Sequence, residues 1–299
     1  MSKNISYDGI FKELLFEFPS ENIVGLINNL FDKDYALNCD VQKLETESHS
    51  DGKKQSDMMF RIDDTLYHAE VQAKDDKSMP LRVFIYAYRA ALQHGQTLSD
   101  DCLELDFPKS VVIYLRSTDK TPKEIKIKLN LPDGKSVMFA TPTKHLKDYS
   151  LQDLTQDSSL IFAPYYPMLF EGETLKSPQS REKLRDEVIA LIDKFKAKAE
   201  NGEIGSNVSD LIIKSIDEIL ENVMEKSNIS QKEVDEVMEA VRQRYNLEPL
   251  NWREEGRVEG KEEDATRMFE RGFSFEDVQY VTKLKTETLE KIRKSLSIP

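Results

Sequence analysis

Two short runs, SDMMFRI at 56–62 and TLYHAEVQA at 65–73, flank Asp63-Asp64 and constrain the fold of this chain more than any other stretch. A two-residue loop at Asp63-Asp64 makes them a hairpin in which Ile62 faces Thr65 and each earlier residue faces the partner that keeps this register. Asp57 then opposes Glu70. Strand alternation puts Met58, Phe60, Ile62, Thr65, Tyr67, Ala69, Val71 and Ala73 on one face, and Asp57, His68, Glu70 and Gln72 on the other. The side-chain roots of directly opposed residues lie about 5 Å apart, so two carboxylates at one rung repel unless something positive sits between them. Two readings follow: the acids hold a divalent metal ion, or the face is the polar, solvent-facing side of an edge hairpin.

A chain of 299 residues can bury a substantial core and form one large domain or two. No apolar run approaches the roughly 20 residues that a membrane-spanning helix needs, so no membrane association is expected. Cys39 and Cys102 are the only cysteines and lie far from any CxxC spacing, which points to reduced thiols rather than a disulfide or zinc site. With an opening, MSKNISYDGIFKELL, that lacks the pattern of a signal segment, they lead to a cytoplasmic expectation. The net charge of -13 excludes indiscriminate nucleic-acid binding through a basic surface. That charge is uneven. Residues 1–150 carry 20 Lys and Arg against 24 Asp and Glu, a balance of -4, and the remainder carries -9. The N-terminal half is therefore the better candidate for touching phosphate.

The pattern predicts helix over 7–31, interrupted at Pro19-Ser20 with Ser20 capping the second segment. Strand-like runs follow at 39–47, 57–62 and 65–73, then a helix over 79–95 stopped by Gly95. SVVIYLR at 110–116 is the most apolar strand candidate and is expected in the middle of a sheet. EIKIKLNL and SVMFA, around Pro132-Asp133-Gly134, form a further hairpin pattern. After the aromatic and proline stretch IFAPYYPMLF, highly charged helices are expected over 180–200, 207–227 and 230–245, and in a last stretch from 251 onward. The expectation is an α/β domain over 1–175 and a charged helical region over 176–299.

The ordered set D8-G-I-F-K12, S56-D57, H68-A-E-V-Q72 and M79-P-L-R82-V-F-I-Y86, followed by the V111-V-I-Y-L strand, resembles the Rpn family of recombination-promoting nucleases and putative transposases within the PD-(D/E)XK nuclease superfamily. The resemblance covers roughly residues 5–170 and includes PYYPML; the acidic C-terminal stretch REEGRVEGKEEDATRMFERGFSFEDVQYVTKL resembles the tails that follow this core. It implies a restriction-endonuclease-like core, a mixed central sheet flanked by helices, with an all-helical C-terminal region. It also implies metal-dependent hydrolysis of DNA phosphodiester bonds, linked to recombination or transposition. In such sites Asp57 and Glu70, with the Val71 carbonyl, would hold one or two Mg²⁺ ions, Mn²⁺ being a substitute. Hard oxygen donors suit Mg²⁺, and a bound divalent ion both activates water and neutralises charge developing on phosphate.

Position 72 carries Gln, as in this family, where the wider superfamily has Lys. A neutral amide can orient a water by hydrogen bonding but brings no charge. Lys74, two residues along the same strand, and Lys12, one turn after Asp8, are the candidates for the missing cation; an exposed i,i+4 ion pair is the plain alternative for Asp8 and Lys12. Arg82, Tyr86 and Arg89 recur at helical spacing, either to hold a phosphate or as the half-solvated flank of an amphipathic helix, with the resemblance favouring function for Arg82. Glu47 is a candidate third carboxylate or an exposed strand-end acid, and His68 a residue that supports the metal ligands. Ser274 and Thr286 can cap two short helices that resemble a helix-turn-helix with a basic end, a unit for packing, dimerisation or DNA contact. Some of the charged helices are candidates for a homodimer interface, the default for cutting both strands of DNA.

Three classes of function remain: an active Mg²⁺-dependent endonuclease, a catalytically weak or inactive nuclease fold that binds DNA or a partner, and a scaffold in which the hairpin acids are coincidental.

Overall fold

The computed structural model describes residues 6–44, 58–73, 77–99 and 101–245, and within the C-terminal segment 265–266, 268–269, 273–282, 288–289 and 292–293. The chain forms two compact units, Met1–Arg244 and Tyr245–Pro299.

The first unit opens with helices α1 (Tyr7–Glu17) and α2 (Ser20–Phe31). The Ser6 side chain caps α1 by accepting from Gly9 N. The interruption falls where the alternation predicts it, but Pro19, not Ser20, is the N-cap of α2 and no side chain caps it. Ser20 is already the first helical residue. The expected 39–47 strand is reduced, among the described residues, to β1 (Gln42–Lys43). Lys43 Nζ donates to the carbonyls of Leu15 and Phe16, satisfying orphan acceptors at the end of α1.

β2 (Met58–Ile62) and β3 (Thr65–Gln72) form the predicted hairpin. Their partners run from Met58 opposite Ala69 to Ile62 opposite Thr65, in the expected register about Asp63-Asp64. Asp63 has φ +49°, the left-handed conformation that such a two-residue turn requires and Asp tolerates. α3 (Met79–His94) follows, then a short hairpin of β4 (Gln96–Ser99) and β5 (Cys102–Leu105), which the alternation did not suggest. Gly95 accommodates this turn for a steric reason: a Cβ there would meet the Asp106 carbonyl oxygen at 2.3 Å. β6 (Lys109–Tyr114) lies parallel to β3, and β7 (Glu124–Asn130) and β8 (Ser136–His145) form the second predicted hairpin, with β8 parallel to β6.

The result is a six-stranded mixed sheet, in the order β1-β2-β3-β6-β8-β7, flanked by helices. The hairpin therefore does not present a free edge: β3 is a central strand between β2 and β6. Its two faces are both covered. Tyr67 meets Phe31 at the end of α2 (ring centroids 4.8 Å) and the Tyr35 hydroxyl at 2.6 Å. The opposite face of the sheet packs under α3, where Met79 and Val83 meet Val112, Tyr114 and Ile125. A helix that links two parallel strands returns across their sheet, and α3 does so between β3 and β6.

The stretch Leu160–Phe170 is a run of 3-10 turns whose two prolines exclude a regular α-helix, and all but one of its residues are buried. It packs against α5 (Ser206–Glu225), beside α4 (Pro178–Glu200), with α6 (Gln231–Tyr245) following. The charged helices up to Arg244 thus share the unit of the sheet. Asp217 and Arg242 join α5 to α6 with contacts at 3.0 Å from each partner's two ends. No helix among the described residues is long and apolar enough to cross a membrane.

In the second unit, α7 (Phe275–Thr282) follows Ser274, whose carbonyl accepts from Val278 N. Val278 packs with Ala265, Phe269 and Leu289 in a small apolar cluster. Thr286, the other expected cap, lies outside the described residues.

Candidate functional site

The polar face of β3 is buried, which overturns the reading of it as a solvent-facing side. His68 is 0% exposed and Glu70 is 2% exposed. Such groups are retained in an interior only when they are paired and hydrogen-bonded, and here they form a continuous chain. Ser110 Oγ lies 3.1 Å from His68 Nδ1, because β6 pairs in parallel with β3 and sets Ser110 beside His68. His68 Nε2 lies 3.1 Å from Glu70 Oε1. From α3 above, one terminal nitrogen of Arg82 donates to Gln72 Oε1 at 2.8 Å and to Glu70 Oε2 at 3.3 Å. Tyr86, one turn on, meets the His68 ring edge-on with centroids 6.2 Å apart.

Donor and acceptor roles follow from these contacts. An ionised carboxylate only accepts, so His68 Nε2 carries a proton toward Glu70. The Ser110 hydroxyl then has two choices: it donates to Nδ1 and the ring is neutral, or it donates to the Pro108 carbonyl at 3.4 Å and leaves Nδ1 to donate as part of an imidazolium. In either state Glu70 has one cation beside it in Arg82, whose side chain is 22% exposed. Arg82 Nε is buried and has no hydrogen-bond partner among the described residues. With its Oε1 held by Arg82, Gln72 turns its amide nitrogen, a donor, to the other side.

Backbone geometry adds an oxygen. The Gln72 carbonyl accepts from Leu115 N beyond β6, and carbonyls alternate sides along a strand, so that of Val71 turns toward the β2 side of β3. The pairing of β2 with β3 is described as far as Met58 opposite Ala69; Asp57, expected opposite Glu70, lies outside the described residues, as do Lys74 and Glu47. Among the described residues no group of three or more His, Cys, Asp and Glu side chains is close enough to hold a metal ion. The donors that are described nevertheless suit Mg²⁺ in kind: the Glu70 carboxylate and the backbone carbonyl of Val71, both hard oxygen ligands.

Of the other sequence candidates, Asp8 and Lys12 are half-buried one turn apart on α1, and Arg89 is exposed on α3. α1 reaches the carboxyl ends of β3 and β6 through a group that sequence reasoning missed. Arg116, just past β6, is paired with Glu171 through two nitrogens, reaches the Ala73 carbonyl at 3.4 Å, and donates to the Tyr7 hydroxyl at 3.0 Å. Tyr7 in turn donates to Asn222 of α5 at 3.0 Å. Burial pushes the Tyr7 phenol up, against the opposing pull of Arg116. Arg116 and Glu171 are 55 residues apart, and no local pattern announces their pairing.

Neither a family model, nor a curated protein, nor a solved structure matches this chain.

Proposed function

We propose that this chain is a metal-dependent DNA endonuclease with a PD-(D/E)XK-type core of the Rpn kind, linked to DNA recombination or transposition. The observation that carries the reading is the pairing of Glu70 and Gln72 on one face of a central strand, under a single arginine from the crossover helix. Burying a carboxylate against a histidine and an arginine costs desolvation and is poor economy for a purely structural core, where apolar residues of similar volume do as well or better. A functional demand for a fixed carboxylate explains it.

Glu70, the Val71 carbonyl and Asp57 would hold a Mg²⁺ ion. Such an ion lowers the pKa of a coordinated water and offsets charge that builds on a phosphate. The chain's own residues have separate tasks. His68 fixes the rotation of the Glu70 carboxylate and excludes solvent from its inner oxygen. Gln72, held by Arg82, directs its amide N–H toward a water or a phosphate oxygen. Arg82 supplies the fixed positive charge that Gln72 lacks, which removes the need for Lys12 or Lys74 in that role. Asp8, Lys12 and Tyr86 lie on the helices nearest these residues and are the next candidates for contact with DNA.

The rival reading is a nuclease fold that binds DNA or a partner without cutting, and its support is the neutral Gln72 together with the hold of Arg82 on Glu70. Plasmid nicking with Mg²⁺, Mn²⁺ or chelator separates the two, comparing native protein with Asp57→Ala and Glu70→Ala. Metal-dependent cutting that either substitution abolishes supports the endonuclease; DNA binding without cutting supports the rival.

A further inference from the structure

The two contacts of Arg82 come in an inverted order. A charge-assisted hydrogen bond from a guanidinium to a carboxylate is ordinarily shorter than one to a neutral amide. Here one terminal nitrogen lies 2.8 Å from Gln72 Oε1 and 3.3 Å from Glu70 Oε2. The first distance is mid-range for N–H···O and the second lies beyond the usual span, so the neutral partner is the anchor and the ionised one is held loosely. Both contacts use the same nitrogen, and the buried Arg82 Nε has no hydrogen-bond partner among the described residues. A guanidinium placed to grip a carboxylate presents two N–H groups to its two oxygens, as Arg116 does to Glu171. Arg82 does not grip Glu70 in this way.

A divalent ion held by Glu70 and a guanidinium that donates to the same carboxylate carry like charges, and these repel most strongly where water is excluded. Glu70, at 2% exposed, is such a place. We propose that Arg82 is an exchangeable counter-ion, which a divalent metal displaces from Glu70. As the carboxylate takes the ion, the guanidinium gives up its loose Glu70 contact and turns about Gln72 Oε1, which it keeps. The Arg82 side chain is 22% exposed and so has solvent to turn toward. His68 stays on Glu70 Oε1, and the orientation of the carboxylate survives the exchange. Arg82 therefore lowers the metal affinity of the site, because each ion bound breaks an ion pair, and coupling between the two cations is reciprocal. The inference rests on the reading of Glu70 as a metal ligand and adds how loading of that site is regulated. It also makes the hold of Arg82 on Glu70 compatible with metal binding.

The test is the Mn²⁺ affinity of the full chain, read from the electron paramagnetic resonance signal of the free ion, for native protein, Arg82→Met and Glu70→Gln. Met keeps an unbranched stem and removes the charge. Arg82→Met is expected to bind Mn²⁺ more tightly than native protein by about 10-fold or more, and Glu70→Gln to bind it more weakly than either. A residue that only held Glu70 in position would act in the opposite sense, since loss of such a support weakens metal binding by about 10–100-fold. Arg82→Met that binds Mn²⁺ no more tightly than native protein therefore overturns the proposal. A second measurement needs no substitution and guards against misfolding of that variant. In a crystal structure of native protein grown with Mn²⁺, the contact of Arg82 with Gln72 is expected to persist while that with Glu70 opens beyond hydrogen-bonding distance. Arg82 still donating to Glu70 beside a bound ion overturns the proposal. Native protein that binds no Mn²⁺, or binds it as Glu70→Gln does, contradicts the reading of Glu70 as a ligand and the exchange falls with it.

Discussion

One terminal nitrogen of Arg82 donates both to Gln72 and to Glu70, so a single guanidinium ties helix α3 to the carboxyl end of strand β3. Arg82→Ala leaves a nearly buried carboxylate without its cation. Removing one member of a buried pair costs about 3–5 kcal/mol, and partial solvent access at Arg82 reduces that to about 2 kcal/mol. Arg82→Lys keeps the charge but gives up the length of the guanidinium whose terminal nitrogen reaches both acceptors, and falls between native and Ala. Urea denaturation of the three proteins checks the order; equal midpoints contradict it.

His68→Ala removes the hydrogen-bond partner of Glu70 Oε1 and of Ser110 at once, in a place water does not reach. The expected loss is about 2–4 kcal/mol, combining an unsatisfied buried acceptor with a cavity. His68→Gln, which can still donate toward Glu70, is expected to recover part of that stability. Thermal unfolding of both variants decides whether His68 is held for its donor or only for its volume: a Gln variant no better than Ala points to volume.

Two capping boxes make stability fall in acid. In Ser150-Leu-Gln-Asp153 and Ser230-Gln-Lys-Glu233 the carboxylate accepts from the serine at the start of the turn. The Ser150 side chain, with its N–H, holds Asp153 below the usual carboxylate range, and the Ser230 N–H, with its hydroxyl, does the same for Glu233. A carboxyl whose folded pKa is depressed adds stability above its unfolded pKa, and that stability is lost as pH falls through the folded value. Melting temperatures of native protein are therefore expected to drop from about pH 5 to 3 more steeply than those of a Ser150→Ala, Ser230→Ala double variant, with the two curves converging at the acid end. Parallel curves would contradict the assignment.

The legible part of the fold was the part coded locally. Alternation on both sides of Asp63-Asp64 carries the hairpin register, and the same period-2 signal found the β7–β8 hairpin. What alternation could not reveal was the second layer. A polar strand face reads alike whether water or α3 covers it, and only the parallel pairing of β3 with β6 brings Ser110 to His68. The 3-10 run around Pro164 and Pro167 escaped because its prolines suppress helical periodicity. At the site, Glu70, Gln72, Arg82 and Tyr86 were singled out in sequence and are brought together, whereas the choice of Arg82 over the lysines as the neighbouring cation depended on which flank of α3 faces β3.

The most direct test of the proposed chemistry is Glu70→Gln, which keeps the size of the side chain and removes its charge; its oxygen can still accept from Arg82, and its amide N–H can meet His68 Nε2 once the ring takes the other neutral tautomer. The measurement is cleavage of supercoiled plasmid in Mg²⁺, run beside DNA binding in chelator by fluorescence anisotropy. The account predicts that native protein nicks DNA only with the metal, and that Glu70→Gln binds DNA as native protein does but cuts at least 100-fold more slowly, the scale expected when a metal-holding or transition-state contact is lost. Cutting by Glu70→Gln at the native rate, or native cutting that persists in chelator, would contradict it.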